Sequence, residues 1–407
     1  MNILFHQKFA PLKIIQLTLT IALLFGLSLP SFACRLLLII QNQPDVVDVQ
    51  ERFLTGSRSL RNQAQTESPW FQLAGQSVKN NFYGSSDQNH DGFGVVAFGK
   101  DSVDTVYKRN VNWVQSPEST KQLAEIVDAT AKKTHTYLGH IRAASPNTSV
   151  EEANNHPYKV VRNDNETWYF MANGGIAVPP KAYEQKLKKN PWLATYASQA
   201  PLPSDSEYLF HWLLADVNKV LGGTDYQVDE YNSPLVEESL RLGFAKLLAQ
   251  QPLVTYQPSD VETAEIPVNQ AYGQSMVRAI GKTWMLSNGE YTYVAIYNNE
   301  VWMQVKKDDK GALQTVVIAS EPTNLSEFYK AGERFKAGWS RWQQLPNNTL
   351  FTIKRQVQYI GQDAAGRTVL GPYGFPEISI DANSFDAPAV KVPKGLCPKA
   401  KVLEIGC

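Results

Sequence analysis

Cysteine is scarce in this chain: three residues among 407, at positions 34, 397 and 407, with no Cys-x-x-Cys pair. There is no His-x-x-x-His pair and no glycine-rich phosphate loop either, so neither a metal nor a nucleotide is indicated and no cofactor is expected. Excess charge is also absent. Lys+Arg and Asp+Glu both number 39, which leaves no net field to attract nucleic acid or an anionic membrane. No internal repeat and no linker marks a second domain. Cys397 and Cys407 are close neighbours in sequence, and in an exported protein cysteine arithmetic pairs them in one disulfide, with Cys34 outside it.

What is present begins at the junction Ser31-Phe32-Ala33-Cys34-Arg35. Lys8 and Lys13 supply a positive leader, residues 14–29 are apolar, and Pro30 breaks the run. Ser31 and Ala33 are the small residues three and one before a cleavage point, so residues 1–33 read as a secretory signal. Cleavage there makes Cys34 the first residue, with an α-amine and a thiol on the same carbon. That is a nucleophile with its own base, the amine titrating near ~8 and the thiol near ~8.5. Three other readings stay open at this point. Cys34 is equally an ordinary buried strand cysteine, or a lipid-carrying cysteine followed by an unusually apolar segment. The third is a membrane anchor left uncleaved, which the apolar stretch is short to support, since spanning takes roughly 20 residues.

Downstream, the patterning alternates between strands and helices. Strands are expected at residues 36–40, 95–98, 104–109, 135–144, 168–172, 282–286, 291–297, 301–305, 315–319 and 350–356, and helices at 117–132, 181–189, 204–217, 234–250 and 268–280. Ser204-Asp205-Ser206-Glu207 matches a capping box. Residues 43–65 are mixed and 66–90 polar, and beyond Gly371 the Pro, Asp and Ala content speaks against regular structure. The order strands, helices, strands fits one α+β domain of two sheets sandwiched by helices.

Several segments carry functional groups. Arg142, at the exit of the strand His140-Ile141-Arg142, is by default a surface arginine; its chemical reading is a guanidinium fork for a substrate carboxylate. His156, in Asn154-Asn155-His156-Pro157-Tyr158, is more often structural than catalytic at such a position. Asn173-Gly174 is by default a hairpin turn, but an Asn amide beside a Gly N–H also makes an oxyanion hole. Asp205 is stabilised by its helix dipole whatever else it does, and its second reading is a partner for a substrate ammonium. Ile318-Ala319-Ser320-Glu321-Pro322 reads as a strand end turning sharply.

Together these segments resemble the class II glutamine amidotransferases, in particular the stand-alone branch without a fused synthase domain. The likeness rests on Cys34-Arg35, then DGFG, GHIRAAS, NNHPY, ANGGIA, SDSEYLF and IASEPT in that order. It spans roughly residues 34–350 and implies a four-layer αββα N-terminal-nucleophile hydrolase fold; the domain is expected over 34–356, and 357–407, beyond the likeness, is a C-terminal extension with the disulfide expected from cysteine arithmetic. It also implies Cys34 as nucleophile, Asn173 and Gly174 as oxyanion hole, and Arg142 and Asp205 holding the α-carboxylate and α-ammonium of a glutamine-like substrate. Ser145 and His156 would line the pocket. The family usually carries His where this chain has Ala172, and cytosolic relatives expose the cysteine by losing only the initiator Met. The expectation is therefore an exported protein, periplasmic or secreted, hydrolysing the γ-amide of glutamine or a γ-glutamyl compound. The alternatives are an N-terminal-nucleophile amidase for other acyl groups, and a lipoprotein with an acylated, inert Cys34.

Overall fold

The computed structural model describes residues 34–64, 91–99, 104–130, 134–142, 149–163, 166–174, 180–196, 204–249, 282–297, 299, 301–323, 338–356, 359–362, 368–370 and 377–385. The leader, the polar stretch 66–90, the helix expected at 268–280, Ser145 and both C-terminal cysteines lie outside them.

The strands are β1 (Arg35–Gln41), β2 (Phe93–Gly99), β3 (Thr105–Arg109), β4 (Thr134–Ile141), β5 (Tyr158–Asn163), β6 (Glu166–Asn173), β7 (Lys282–Ser287) and β8 (Tyr291–Tyr297). After them come β9 (Trp302–Lys307), β10 (Leu313–Ala319), β11 (Gln343–Gln344), β12 (Thr349–Gln356), β13 (Tyr359–Gln362), β14 (Thr368–Leu370) and β15 (Glu377–Ser384). The α-helices are α1 (Val46–Gln50), α2 (Leu60–Gln63), α3 (Pro117–Thr130), α4 (Pro180–Lys189), α5 (Pro191–Ala194), α6 (Asp205–Leu221) and α7 (Ser233–Ala249). One sheet runs β11-β9-β10-β1-β4-β2-β3, a second runs β15-β12-β8-β7-β6-β5, and β13-β14 form a small ribbon.

The alternation along β1 shows how the layers arise. Leu36, Leu38 and Ile40 pack between the sheets against Tyr169, Met171, Met285, Val294 and Ile296. Leu37 and Ile39 face the opposite way, onto Val49, Phe53 and Leu60 at one end and Leu123 and Val127 of α3 at the other. Successive strand side chains point to opposite faces, so a strand apolar at every position must be covered on both sides. The second sheet does the same: Trp168, Phe170, Trp284 and Tyr293 turn outward onto Leu209, Leu213, Leu240 and Phe244 of α6 and α7. Helix, sheet, sheet, helix is the four-layer αββα sandwich, and the α+β expectation holds.

One expectation fails. Regular structure continues past Gly371: β15 pairs with β12 over eight consecutive register positions, Glu377 opposite Gln356 through Ser384 opposite Thr349. Ile378 enters the inter-sheet core and Phe385 the core under α7. An edge strand needs ladder partners on one side only, so a few apolar anchors suffice in a polar segment. The strand β5 and the short helices α1 and α2 likewise carried no clear signal.

Candidate active site

Cys34 stands at the N-terminal lip of β1 and is 5% exposed. The strand is fixed from the β10 side. Leu36 N–H donates to Ser320 Oγ at 2.7 Å and Ser320 N–H donates to the Leu36 carbonyl at 3.1 Å. Glu321 then takes two guanidinium groups, Arg35 at 2.7 Å and Arg58 at 2.6 Å, all three side chains buried. The turn expected at Ser320-Glu321 therefore has a definite task. It clamps the strand that carries the cysteine.

Asn173 ends β6, in the other sheet, and its Nδ2 donates to the Cys34 carbonyl at 2.6 Å. Residues 139 apart in sequence thus meet where the two sheets come together. Gly174 follows with φ +90°, a conformation that side chains with a Cβ rarely adopt. The preceding Ala172 packs into the core beneath α6.

The motifs between these two points lock onto one another. Arg142 N–H donates to the Gly92 carbonyl at 2.8 Å, which joins the strand exit to the start of the segment leading into β2. A Cβ at position 94 would collide with the His156 carbonyl, so glycine there lets the Asn154–Tyr158 segment lie against β2. Arg142 itself is buried. Its Nη2 donates to the Ser149 carbonyl at 2.9 Å, while Nη1 has no partner among the described residues. A buried guanidinium nitrogen without a partner among the described residues can receive an anionic group.

His156 Nδ1 and His140 Nε2 lie 3.0 Å apart, sharing one hydrogen. Burial, reinforced by the Arg142 charge, lowers the His140 pKa to about 3, and burial together with His140 holds His156 well below its ordinary range. Both rings are neutral near pH 7. Tyr158, edge-on to His156, meets Ser204 Oγ at 2.5 Å, and burial raises its hydroxyl pKa. The charges of Arg142 and Asp205 both reach that hydroxyl, which places Tyr158 in the neighbourhood of the two.

Ser204 caps α6 as the sequence indicated, its Oγ accepting from Glu207 N–H at 3.3 Å. Asp205, next in line, has its side chain 39% exposed and the Lys282 ammonium 3.6 Å from its Oδ2. Lys282 opens β7 with its side chain 1% exposed, and it also donates to Ser206 Oγ at 3.3 Å and to the Gly174 carbonyl. Burial lowers its pKa, against the opposing pull of Asp205 and Cys34.

Of the residues singled out in sequence, Cys34, Asn173, Gly174 and Asp205 converge through Lys282, and Arg142 and His156 gather around His140 and Tyr158; Ser145 lies outside the described residues. Sequence reasoning missed Lys282, the clamping role of Glu321, and the partnership of His140. His140 and Tyr158 sat inside quoted motifs and were findable. Lys282 opens an ordinary apolar strand and gave no signal. Among the described residues no group of three His, Cys, Asp or Glu side chains is placed to hold a metal, and no helix is long and apolar enough to cross a membrane.

A thiol, an Asn-Gly turn and a buried guanidinium thus gather on an αββα sandwich, the fold class of the N-terminal-nucleophile hydrolases. The family model described as class-II glutamine amidotransferases matches residues 62–263, a span containing Arg142, His156, Asn173, Gly174 and Asp205. Over residues 62–263 the chain is therefore similar to class-II glutamine amidotransferases. Cys34 and Lys282 lie outside the matched span and reach it through the fold. No curated protein matches the chain. Among solved structures, glutamine phosphoribosylpyrophosphate amidotransferase from B. subtilis aligns at 12% identity and TM-score 0.42, covering 87% of this chain and 49% of that one. The chain thus spans about half the length of that protein. A glutamine aminotransferase class-II domain protein from Silicibacter pomeroyi aligns at 17% identity and TM-score 0.36, over 73% of this chain and 92% of that one. A predicted glutamine amidotransferase from Pseudomonas aeruginosa aligns at 13% and 0.36, over 80% and 93%.

Proposed function

We propose that the protein is an exported amidohydrolase that cleaves the γ-amide of glutamine or of a γ-glutamyl compound, with Cys34 exposed as the N-terminal residue by signal cleavage. The observation that carries the proposal is the bond from Asn173 Nδ2 to the Cys34 carbonyl, which supports reading Asn173 as an oxyanion donor beside the nucleophile. In the first step the Cys34 thiol passes its proton to its own α-amine, and sulfur bonds to the amide carbon. Charge develops on the amide oxygen, stabilised by Asn173 Nδ2 and the Gly174 N–H. The C–N bond then breaks, and the amine proton leaves with the nitrogen as ammonia or a primary amine. Water, activated by the same α-amine, cleaves the γ-glutamyl thioester and releases glutamate. Arg142 holds the α-carboxylate through its unused arm, and Asp205 the α-ammonium.

A second reading has one observation in its favour. Asp205 already faces the Lys282 ammonium, so an acyl group with a carboxylate but no α-amine is a candidate for the same pocket. The lipoprotein alternative is disfavoured by a cysteine that is 5% exposed with β1 starting at the next residue, which leaves no tether. The test is kcat/KM for glutamine and for glutaramate, the analogue lacking the α-amine, on wild type and Asp205→Asn. The proposal expects a loss on glutamine of roughly tenfold or more, as removal of a charge partner typically costs a few kcal/mol, and near-wild-type turnover of glutaramate. Equal losses on both would return Asp205 to helix capping and favour the second reading.

A further inference from the structure

Lys282 is fully buried, and a buried ammonium is tolerated only where its hydrogens and charge are met. Here three partners meet it, each from a different part of the site: the Gly174 carbonyl, Ser206 Oγ and the Asp205 carboxylate. Its location is set by the ladder. Thr283 is the register partner of Asn173, so Lys282 lies one residue beyond it, alongside Gly174. The first turn of α6 then brings Asp205 and Ser206 to the same nitrogen.

We propose that Lys282 is a positioning residue for the Cys34 reaction, its one ammonium pinning the Gly174 turn, pairing with Asp205 and facing its charge toward the Cys34 sulfur. This rests on Cys34 being the nucleophile, but on no particular amide. Gly174 at φ +90° has no side chain to hold it, and a hydrogen bond to its carbonyl fixes the peptide that follows the oxyanion donor. The electrostatic coupling is reciprocal. A Cys34 thiolate raises the proton affinity of Lys282, and a charged Lys282 therefore eases loss of the thiol proton. The other charges around the site are Asp205 and Glu207 on α6, with Arg142 and Lys108, which act on the neighbouring His156 and Tyr158. Arg35 and Arg58 are matched by Glu321, and His140 and His156 are neutral.

Alkylation of Cys34 by iodoacetamide reads this without any substrate. The rate is followed across about pH 5 to 9 by mass spectrometry of the Cys34 peptide, for wild type, Lys282→Met, Lys282→Gln and Lys282→Arg, with melting curves as the check on folding. Loss of the ammonium in Lys282→Met moves the profile up by about one pH unit, about tenfold slower alkylation near neutrality. Lys282→Gln, neutral but able to donate to the Gly174 carbonyl, moves it up in the same way. Lys282→Arg keeps most of the wild-type profile. Superimposable profiles for wild type and folded Lys282→Met overturn the proposal. Should Lys282→Met not fold, an unmoved profile in Lys282→Gln overturns it equally. A shifted profile in a protein inactive on every γ-glutamyl amide would sink the substrate reading and leave the role of Lys282 standing.

Discussion

In the proposed reaction Asn173 has two jobs for one amide. One Nδ2 hydrogen is spent on the Cys34 carbonyl, and the second is assigned to the oxygen of the amide under attack. Asn173→Ala should lower kcat by roughly 10²–10³ with little change in KM, because an oxyanion donor matters most as charge develops. Steady-state kinetics on the best γ-glutamyl substrate would show it, and a change confined to KM would reduce Asn173-Gly174 to a turn. The histidine pair gives a different signature. Both rings stay neutral in the fold far below the ordinary histidine range, His140 to about 3. The unfolded chain binds protons there from about pH 6.5 downward, so stability present above that pH is lost as pH falls toward 3. Urea melts at several pH values should show this slope in wild type and a shallower one in His140→Gln. Identical slopes would mean the acid limb has another origin. Residues inside motifs were legible in this way, but Lys282 was not. A lysine ahead of Thr283 and Trp284 reads as the exposed end of a strand, and its burial depends on partners about 76 and 108 residues away.

At the scale of elements, β1 was the most legible, because unbroken apolar residues can only be a strand covered on both faces. The clamp at its N-terminal end was not. Ser320 and Glu321 looked like a turn, and nothing local says that Glu321 must sit between Arg35 and Arg58. Glu321→Gln would leave two buried guanidinium groups without their counter-charge, a change that typically costs about 3–5 kcal/mol. It should lower the melting temperature and slow turnover together, since the loosened strand carries Cys34. A variant as stable as wild type would show that the clamp is dispensable. The edge strand β15 shows the opposite limit of sequence reading. Its eight residues, EISIDANS, have only Ile378 and Ile380 as strand-type apolar anchors, and the ladder with β12 supplies the rest.

For the molecule as a whole, the layers explain why residues from Cys34 to Lys282 form one site. In the proposed reaction the nucleophile comes from one sheet, the oxyanion turn from the other, and the head-group carboxylate from the helix layer over the second sheet. The order of strands and helices indicated two sheets between helices, but no local pattern could say which strand ends would face one another. The central claim is that Cys34 acts as an N-terminal nucleophile through a γ-glutamyl thioester. The most direct measurement is an acid-quenched reaction with a γ-glutamyl amide, followed by mass spectrometry of the N-terminal peptide, on processed chain and on chain retaining residues 1–33. The account predicts a γ-glutamyl adduct on a peptide that begins at Cys34, and no adduct or turnover where the residue before it is still attached. Full turnover by the uncleaved chain, or turnover with Cys34 never acylated, would contradict it.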